Sequence, residues 1–281
     1  MRQRRLAGWG LVVPAALWTL AFFVLPLGLM ALLSLRVKQG TETLPGLSLA
    51  NYARFLDKGF FGQALLNSLE VTALVCVVSL LLAYPLAWIL AYRVPPRWQR
   101  LALLLALLPF WTSYIVRSYA WLLVLGDNGV VLGTLRGLGL PVDGLSLVHN
   151  RTGTVIGFVH FFVMLLTLTI WASLVQIPAS YLRAAADLGA SAWSAFWRIT
   201  LPLSLPGVVV GVFLTFVLAI GDYITPQILG GNREQLLPQS IMLQIGRSGD
   251  FPMASALALV LMLVVPLAYL ACARWLKLDR V

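Results

Sequence analysis

The chain has 281 residues, 60% hydrophobic and 11% charged, with a mean hydropathy of +0.90; a soluble chain carries about a quarter charged residues, so a polytopic membrane protein is expected and a globular soluble domain is excluded. The net charge of +10 does not indicate nucleic acid, because the basic residues are scattered through loops beside apolar runs, where topology and anionic lipid headgroups use them. Cys76 and Cys272 lie inside apolar runs, and His149 and His160 add no ligand spacing, so neither a disulfide frame nor a metal site is indicated.

Arg2, Arg4 and Arg5 precede an apolar run over 9–35. That run exceeds the ~20 residues needed to span a membrane, and no small-residue cleavage site follows, so an uncleaved first span is expected rather than a signal peptide. Five more runs follow, over 65–92, 101–125, 152–175, 207–229 and 252–276. They are continuous rather than alternating, which predicts helices and not a barrel. The expected fold is therefore all-α integral membrane, with about six transmembrane helices in a single domain over 1–281.

Basic residues set the orientation. One side collects Arg2, Arg4, Arg5, Arg93, Arg97, Arg100, Arg183, Arg198, Arg274, Lys277 and Arg280 against only Asp187 and Asp279. On the other, the positive residues are offset by Glu42, Asp57, Asp127, Asp143, Glu234 and Asp250. The first side is expected to be the cytoplasm, with both termini there.

Glu70 lies near the outer end of span two. Arg117 in span three is close enough to the outer surface to snorkel, with Glu70 as a possible partner. Beyond it, the Gly-Asp-Asn-Gly turn at 126–129 leads into a short amphipathic piece at 130–138, expected to lie in the interface. Span four carries Gly153, Gly157, His160, Met164, Thr167 and Trp171 on one face. His160 there either bonds a neighbouring helix or touches a solute.

The segment 177–206 is the long break without a spanning run in the second half. Ala179 to Leu188 is Ala-rich and closes on Gly189, a natural helix C-terminus, after Pro178 at a first helical position. Ser191 is expected to cap a second helix over 192–199, which Pro202 and Pro206 stop. Ala184, Ala185 and Leu188 share a face whose small side chains allow close approach by another surface. In span five, Gly207, Gly211 and Thr215 recur every four residues, with Asp222 on about the same face near the outer end and Tyr223 after it. A carboxylate there faces a cavity or partner, or else ends the helix in water. His160, Thr215, Asp222 and Tyr223 are the candidates for a substrate path.

The 177–206 segment resembles the "EAA" coupling loop of permease subunits of bacterial ABC importers. That pattern is Glu-Ala-Ala, three residues, Gly, nine residues, Ile, one residue, Leu-Pro. Ala184, Ala185, Gly189, Ile199, Leu201 and Pro202 stand at this spacing, with Arg183 in the glutamate's place. Residues 109–121, the turn at 126–129 and GDYITPQILGG at 221–231 are similar to segments of spermidine/putrescine-type permeases, and of importers for phosphonates, opines and ferric iron. The resemblance implies a type I ABC importer permease-like fold in a bacterial inner membrane. It implies coupling through Arg183, Ala184, Ala185, Asp187, Leu188, Gly189 and Ala190 to cytoplasmic ATPase subunits. It also implies a second permease, alike or different, and an extracytoplasmic solute-binding protein.

No nucleotide site of its own is expected, and ATP with magnesium would belong to the partner ATPases. The lysines, Lys38, Lys58 and Lys277, lie outside any Gly-x-x-x-x-Gly-Lys-Ser/Thr loop. The alternative is a self-sufficient secondary transporter or channel. That asks for ion-coupling carboxylates at mid-membrane, whereas Asp222 and Glu70 lie toward the outside. An intramembrane enzyme ranks last, since no nucleophile elbow or metal-spaced cluster is seen.

Overall fold

The structure, a computed structural model, describes residues 12–40, 42–142, 144–231 and 234–276, with side chains as far as 270 at the C-terminal end. The expectations on Arg2, Arg4, Arg5, Asp143, Arg233, Cys272, Arg274, Lys277, Asp279 and Arg280 lie outside the described residues or side chains. Among the described residues, six helical segments are long and apolar enough to cross a membrane: Val12–Ser34, Gly59–Tyr92, Tyr114–Gly137, Arg151–Leu174, Ala192–Gly221 and Phe251–Leu270. Helices follow from the apolar runs, because a lipid-embedded backbone must satisfy its own hydrogen bonds.

In chain order the elements are α1 (Val12–Ser34), a hairpin of β1 (Val37–Gln39) and β2 (Glu42–Leu44), α2 (Ala50–Asp57), α3 (Gly59–Tyr92) and α4 (Pro96–Leu107). They continue with α5 (Tyr114–Leu125), α6 (Val130–Gly137), α7 (Arg151–Leu174), α8 (Ala179–Asp187), α9 (Ala192–Gly221), α10 (Leu237–Gly246) and α11 (Phe251–Leu276). The chain divides into two compact units: Met1–Gln63 with Ser240–Leu263, and Ala64–Gln239 with Val264–Val281.

In the first unit the hairpin pairs Val37 with Leu44 and Gln39 with Glu42, antiparallel. Buried Asn51 on α2 donates to the carbonyls of Ser34 and Arg36 at 2.8 and 2.7 Å. Those carbonyls lie at and just past the end of α1, so the asparagine satisfies backbone acceptors that the helix end leaves open. Asp250 accepts from the N–H of Met253 at 3.0 Å, capping α11, and pairs with Arg54 at 3.0 Å.

In the second unit α7 is central. Its Leu166, Ile170 and Leu174 pack with Ala83 and Ala87 of α3 and Val208 of α9. Further along, Phe158 and Phe162 meet Val71 and Val75 of α3 and Ala219 of α9. Gly207 and Gly211 allow α9 to press on α7: a Cβ at Gly207 would stand 2.5 Å from the carbonyl oxygen of Thr169. Gly157 likewise admits Leu229, whose Cδ1 would lie 2.6 Å from an added Cβ. Small residues therefore work as expected, by letting backbones approach.

Two spans differ from expectation. The third, expected over 101–125, is not one helix: α4 ends, a 3-10 turn covers Leu108–Trp111, Thr112 is extended, and α5 begins at Tyr114. Pro109 lacks a backbone donor, which favours a break there. The apolar segment long enough to cross is instead Tyr114–Gly137, made of α5 and α6 on either side of the 126–129 turn. The fifth, expected over 207–229, begins earlier, because Pro202 and Pro206 do not stop the helix. A π-helical turn over Phe196–Thr200 sits just before Pro202, and the helix continues through Leu201–Gly221. The wider turn relieves the clash of a proline ring with the preceding turn's carbonyl.

Candidate functional site

The corner at one end of the second unit is built from local chemistry. Pro178 is the N-cap of α8 rather than its first helical residue. At the other end Gly189 has φ of +80° and donates to the carbonyl of Ala186, while Ala190 donates to that of Ala185, both at 2.9 Å. This pair of bonds is a Schellman motif, which satisfies two carbonyls of the last turn and turns the chain sharply. Ser191 then caps α9, accepting from the N–H of Ser194 at 3.2 Å.

Between α8 and the start of α9 lies a groove of about 960 Å³, lined by Ala184, Ala185, Leu188, Gly189, Ala195 and Arg198 among others. Ala185 is buried against the fold, whereas Leu188 is 89% exposed, so the small-residue face is divided between packing and a protruding tip. Arg183 and Asp187 are both exposed. The ion pairs among the described residues are Arg54–Asp250 and Arg151–Glu70, so these two are not joined to each other. An aromatic cluster braces the start of α9. Trp193 stacks on Phe196 at 6.1 Å, and Phe196 meets Tyr84 of α3 edge-on at 5.7 Å. The Tyr84–Phe196 contact joins residues far apart in the chain, and no local pattern in the sequence announced it.

Because α9 is unbroken over 30 residues from Ala192 to Gly221, it reaches about 45 Å. Its far end is Asp222, where the helix breaks before a π-helical turn at Pro226–Gly230. Asp222 Oδ1 accepts from the N–H of Ile224 at 2.8 Å, and Oδ2 accepts from the Tyr114 hydroxyl. The Tyr114 oxygen lies 2.5 Å from Thr225 Oγ1. A phenol has one proton and Tyr114 gives it to the carboxylate, so Thr225 is the donor in that second bond. Two helix breaks, one before α5 and one after α9, are thus joined through a tyrosine and an aspartate.

The surroundings of Tyr114 are aromatic and cationic. Phe161 meets it edge-on at 5.5 Å, and Arg117 sits over both rings, 5.3 Å from Tyr114 and 4.7 Å from Phe161. Arg117 is only 7% exposed and donates to the Pro109 carbonyl at 2.9 Å. It therefore does not snorkel, and Glu70 pairs instead with Arg151 at 2.8 Å. At the break the Pro109 carbonyl also accepts from the Thr112 hydroxyl at 2.7 Å, so the guanidinium joins a bonded turn rather than reaching for the surface.

Of the four path candidates, His160 accepts from Trp121 Nε1 at its Nδ1, 3.0 Å apart. Thr215 is fully buried, and its hydroxyl has no hydrogen-bond partner. Asp222 is half-buried and Tyr223 exposed. The structure brings Asp222 together with Tyr114 and Thr225, not with His160 or Thr215. Near the same end, a polar cavity of about 670 Å³ is lined by Ser146, His149, Asn150, Arg151 and Glu234 among others.

The family described as "Binding-protein-dependent transport system inner membrane component" matches residues 71–276. The chain belongs to this family. Both the corner and the helix breaks fall inside the matched residues. Among similar proteins, the inner membrane ABC transporter permease protein YdcU of Escherichia coli is 33% identical over 238 residues, 81% of this chain and 75% of that protein. The spermidine/putrescine transport system permease protein PotB of Salmonella typhimurium is 32% identical over 79% of this chain and 77% of its own length. The molybdenum transport system permease protein ModB of Mycobacterium bovis is 33% identical over 74% of this chain and 76% of its own. The type I importer fold is shared with solved structures. A chain of the bacterial alginate ABC transporter, in complex with its alginate pentasaccharide-bound periplasmic protein, superposes with a TM-score of 0.74 at 16% identity, covering 98% of this chain and 96% of that one. A chain of the MetNI methionine ABC transporter gives 0.60 at 16% identity, with 76% and 93% covered.

Proposed function

We propose that this chain is the membrane-spanning subunit of an ATP-driven importer, that the corner at 177–206 couples it to a cytoplasmic ATPase subunit, and that its solute is a polyamine or similar small polar molecule. The observation that carries the reading is the corner itself. A Gly189 turn and an open groove occur at the family's spacing, at the head of a helix that reaches the far end of the unit. In this reading Arg183, Ala184, Ala185, Asp187, Leu188, Gly189 and Ala190 meet the ATPase. Closure of the ATPase on ATP and magnesium presses the corner, and α9 carries the displacement to the break at Asp222. A second permease completes the path, a solute-binding protein delivers solute from outside, and both termini lie in the cytoplasm of a bacterial inner membrane.

The polyamine assignment draws on the spermidine/putrescine relative and on the half-buried carboxylate of Asp222 beside exposed Tyr223. Removing water from an ammonium group is costly, and a carboxylate at the mouth offsets part of that cost. Of the other two path candidates, His160 accepts from Trp121 through Nδ1, which leaves Nε2 as its side for a solute, and Thr215 is enclosed within the unit. The test is spermidine uptake by proteoliposomes holding the complete transporter. Asp222→Asn, which keeps shape and removes charge, should lower uptake without loss of assembly. Undiminished uptake in an intact complex would remove Asp222 from the path.

A further inference from the structure

We propose that Tyr114 is a positioning residue: its hydroxyl latches the helix break at Asp222 to the break before α5, and each transport cycle has to open this latch. The inference rests on the importer reading and adds to it the element that holds the far end of α9 in the resting state.

Three observations carry it. First, the Tyr114–Asp222 bond joins the first residue of α5, next to the break that precedes that helix, to the residue at which α9 ends. Both segments can move there without breaking a helical ladder. Second, the tyrosine is fixed on its other sides. Phe161 abuts its ring, Arg117 lies over it, and Thr225 donates to its oxygen. The half-buried ring is packed on Phe161 of α7, so displacement of α9 relative to α7 strains the bonds that its hydroxyl makes with Asp222 and Thr225. Third, Asp222 Oδ1 is already committed to the N–H of Ile224, and Oδ2 is the oxygen that Tyr114 holds. A cationic group arriving at this carboxylate competes with the phenol for Oδ2. Displacement of α9 from the corner and arrival of a cation at the far end therefore act on the same bond.

The experiment measures ATP hydrolysis without added solute by the complete transporter in proteoliposomes. Tyr114→Phe, Asp222→Ala and the double variant are compared with the parent, and co-purification of the ATPase subunit is quantified for each. Tyr114→Phe keeps the ring against Phe161 and removes only the hydroxyl. Each single variant should raise the solute-independent rate by about tenfold or more, as expected for losing a hydrogen bond to a charged group. The double variant should exceed neither single, because both remove one bond. Structural damage would lower the rate instead, and Tyr52→Phe, which removes a tyrosine hydroxyl bonded to Ser34 and outside the latch, should stay near the parent. Retention of the ATPase subunit is read separately and reports on the importer reading alone. With the subunit retained, an unchanged rate in Tyr114→Phe, or effects that multiply in the double variant, would overturn the latch.

Discussion

Gly189 donates its backbone N–H to the carbonyl of Ala186 at 2.9 Å while its φ stands at +80°. A Cβ added there would meet nothing within 4 Å, so glycine is required for its backbone and not for space. Holding an L-residue in this conformation costs about 1–2 kcal/mol, more for a β-branched one. Gly189→Val should therefore abolish solute-stimulated ATPase activity in the complete transporter while membrane insertion stays normal. Gly189→Asn, which tolerates the left-handed region, should keep most of it. Full coupling in Gly189→Val would show that the corner's shape is dispensable.

Gly207 sets the opposite case, in which space decides. An added Cβ would lie 2.5 Å from the Thr169 carbonyl oxygen, a backbone atom that cannot swing aside. Gly207→Ala should lower thermal stability in detergent by about 1–3 kcal/mol, the usual cost of overpacking. Gly133→Ala, on α6 with nothing within 4 Å, should be neutral or slightly stabilising. Equal melting temperatures for the two variants would contradict the close α7–α9 contact.

Arg183 replaces the glutamate of the family pattern and makes no ion pair among the described residues. Its exposed guanidinium is free to meet a carboxylate on the ATPase. Arg183→Glu should reduce solute-stimulated ATPase activity, and reversing one acidic residue of the ATPase cleft should restore it. If Arg183→Glu couples as well as the parent, the side chain is only a solvated substitution.

The two ion pairs differ in consequence. Glu70 is 58% exposed, so Glu70→Gln should change stability by less than ~1 kcal/mol. Asp250 is 8% exposed and also caps α11 through the N–H of Met253. Asp250→Ala leaves that donor open and Arg54 without its partner, at a cost of about 2–4 kcal/mol. Thermal melts of the two variants side by side check the ordering.

Local chemistry was legible in the sequence. Gly189, Ser191 and the Gly207–Gly211 spacing act within one or two turns, and each does what its type suggests. Long-range relationships were not. The prolines at 202 and 206 read as stops because the rule for proline is local, whereas a π-helical turn accommodates the first of them. Arg117 read as a surface residue because hydropathy does not reveal that the Pro109 carbonyl and the Phe161 ring lie within its reach. Asp222 was found as a carboxylate near a membrane end, but its partner lies 108 positions away on another helix, beyond any periodicity.

The most direct test of the coupling role is a photo-crosslinking amino acid placed at Leu188, the 89% exposed tip of the corner. It is irradiated in membranes that contain the complete transporter. The account predicts an adduct with the mass of this chain plus one ATPase subunit, and no such adduct from the same probe at Tyr223. An ATPase adduct from Tyr223 and none from Leu188 would contradict it.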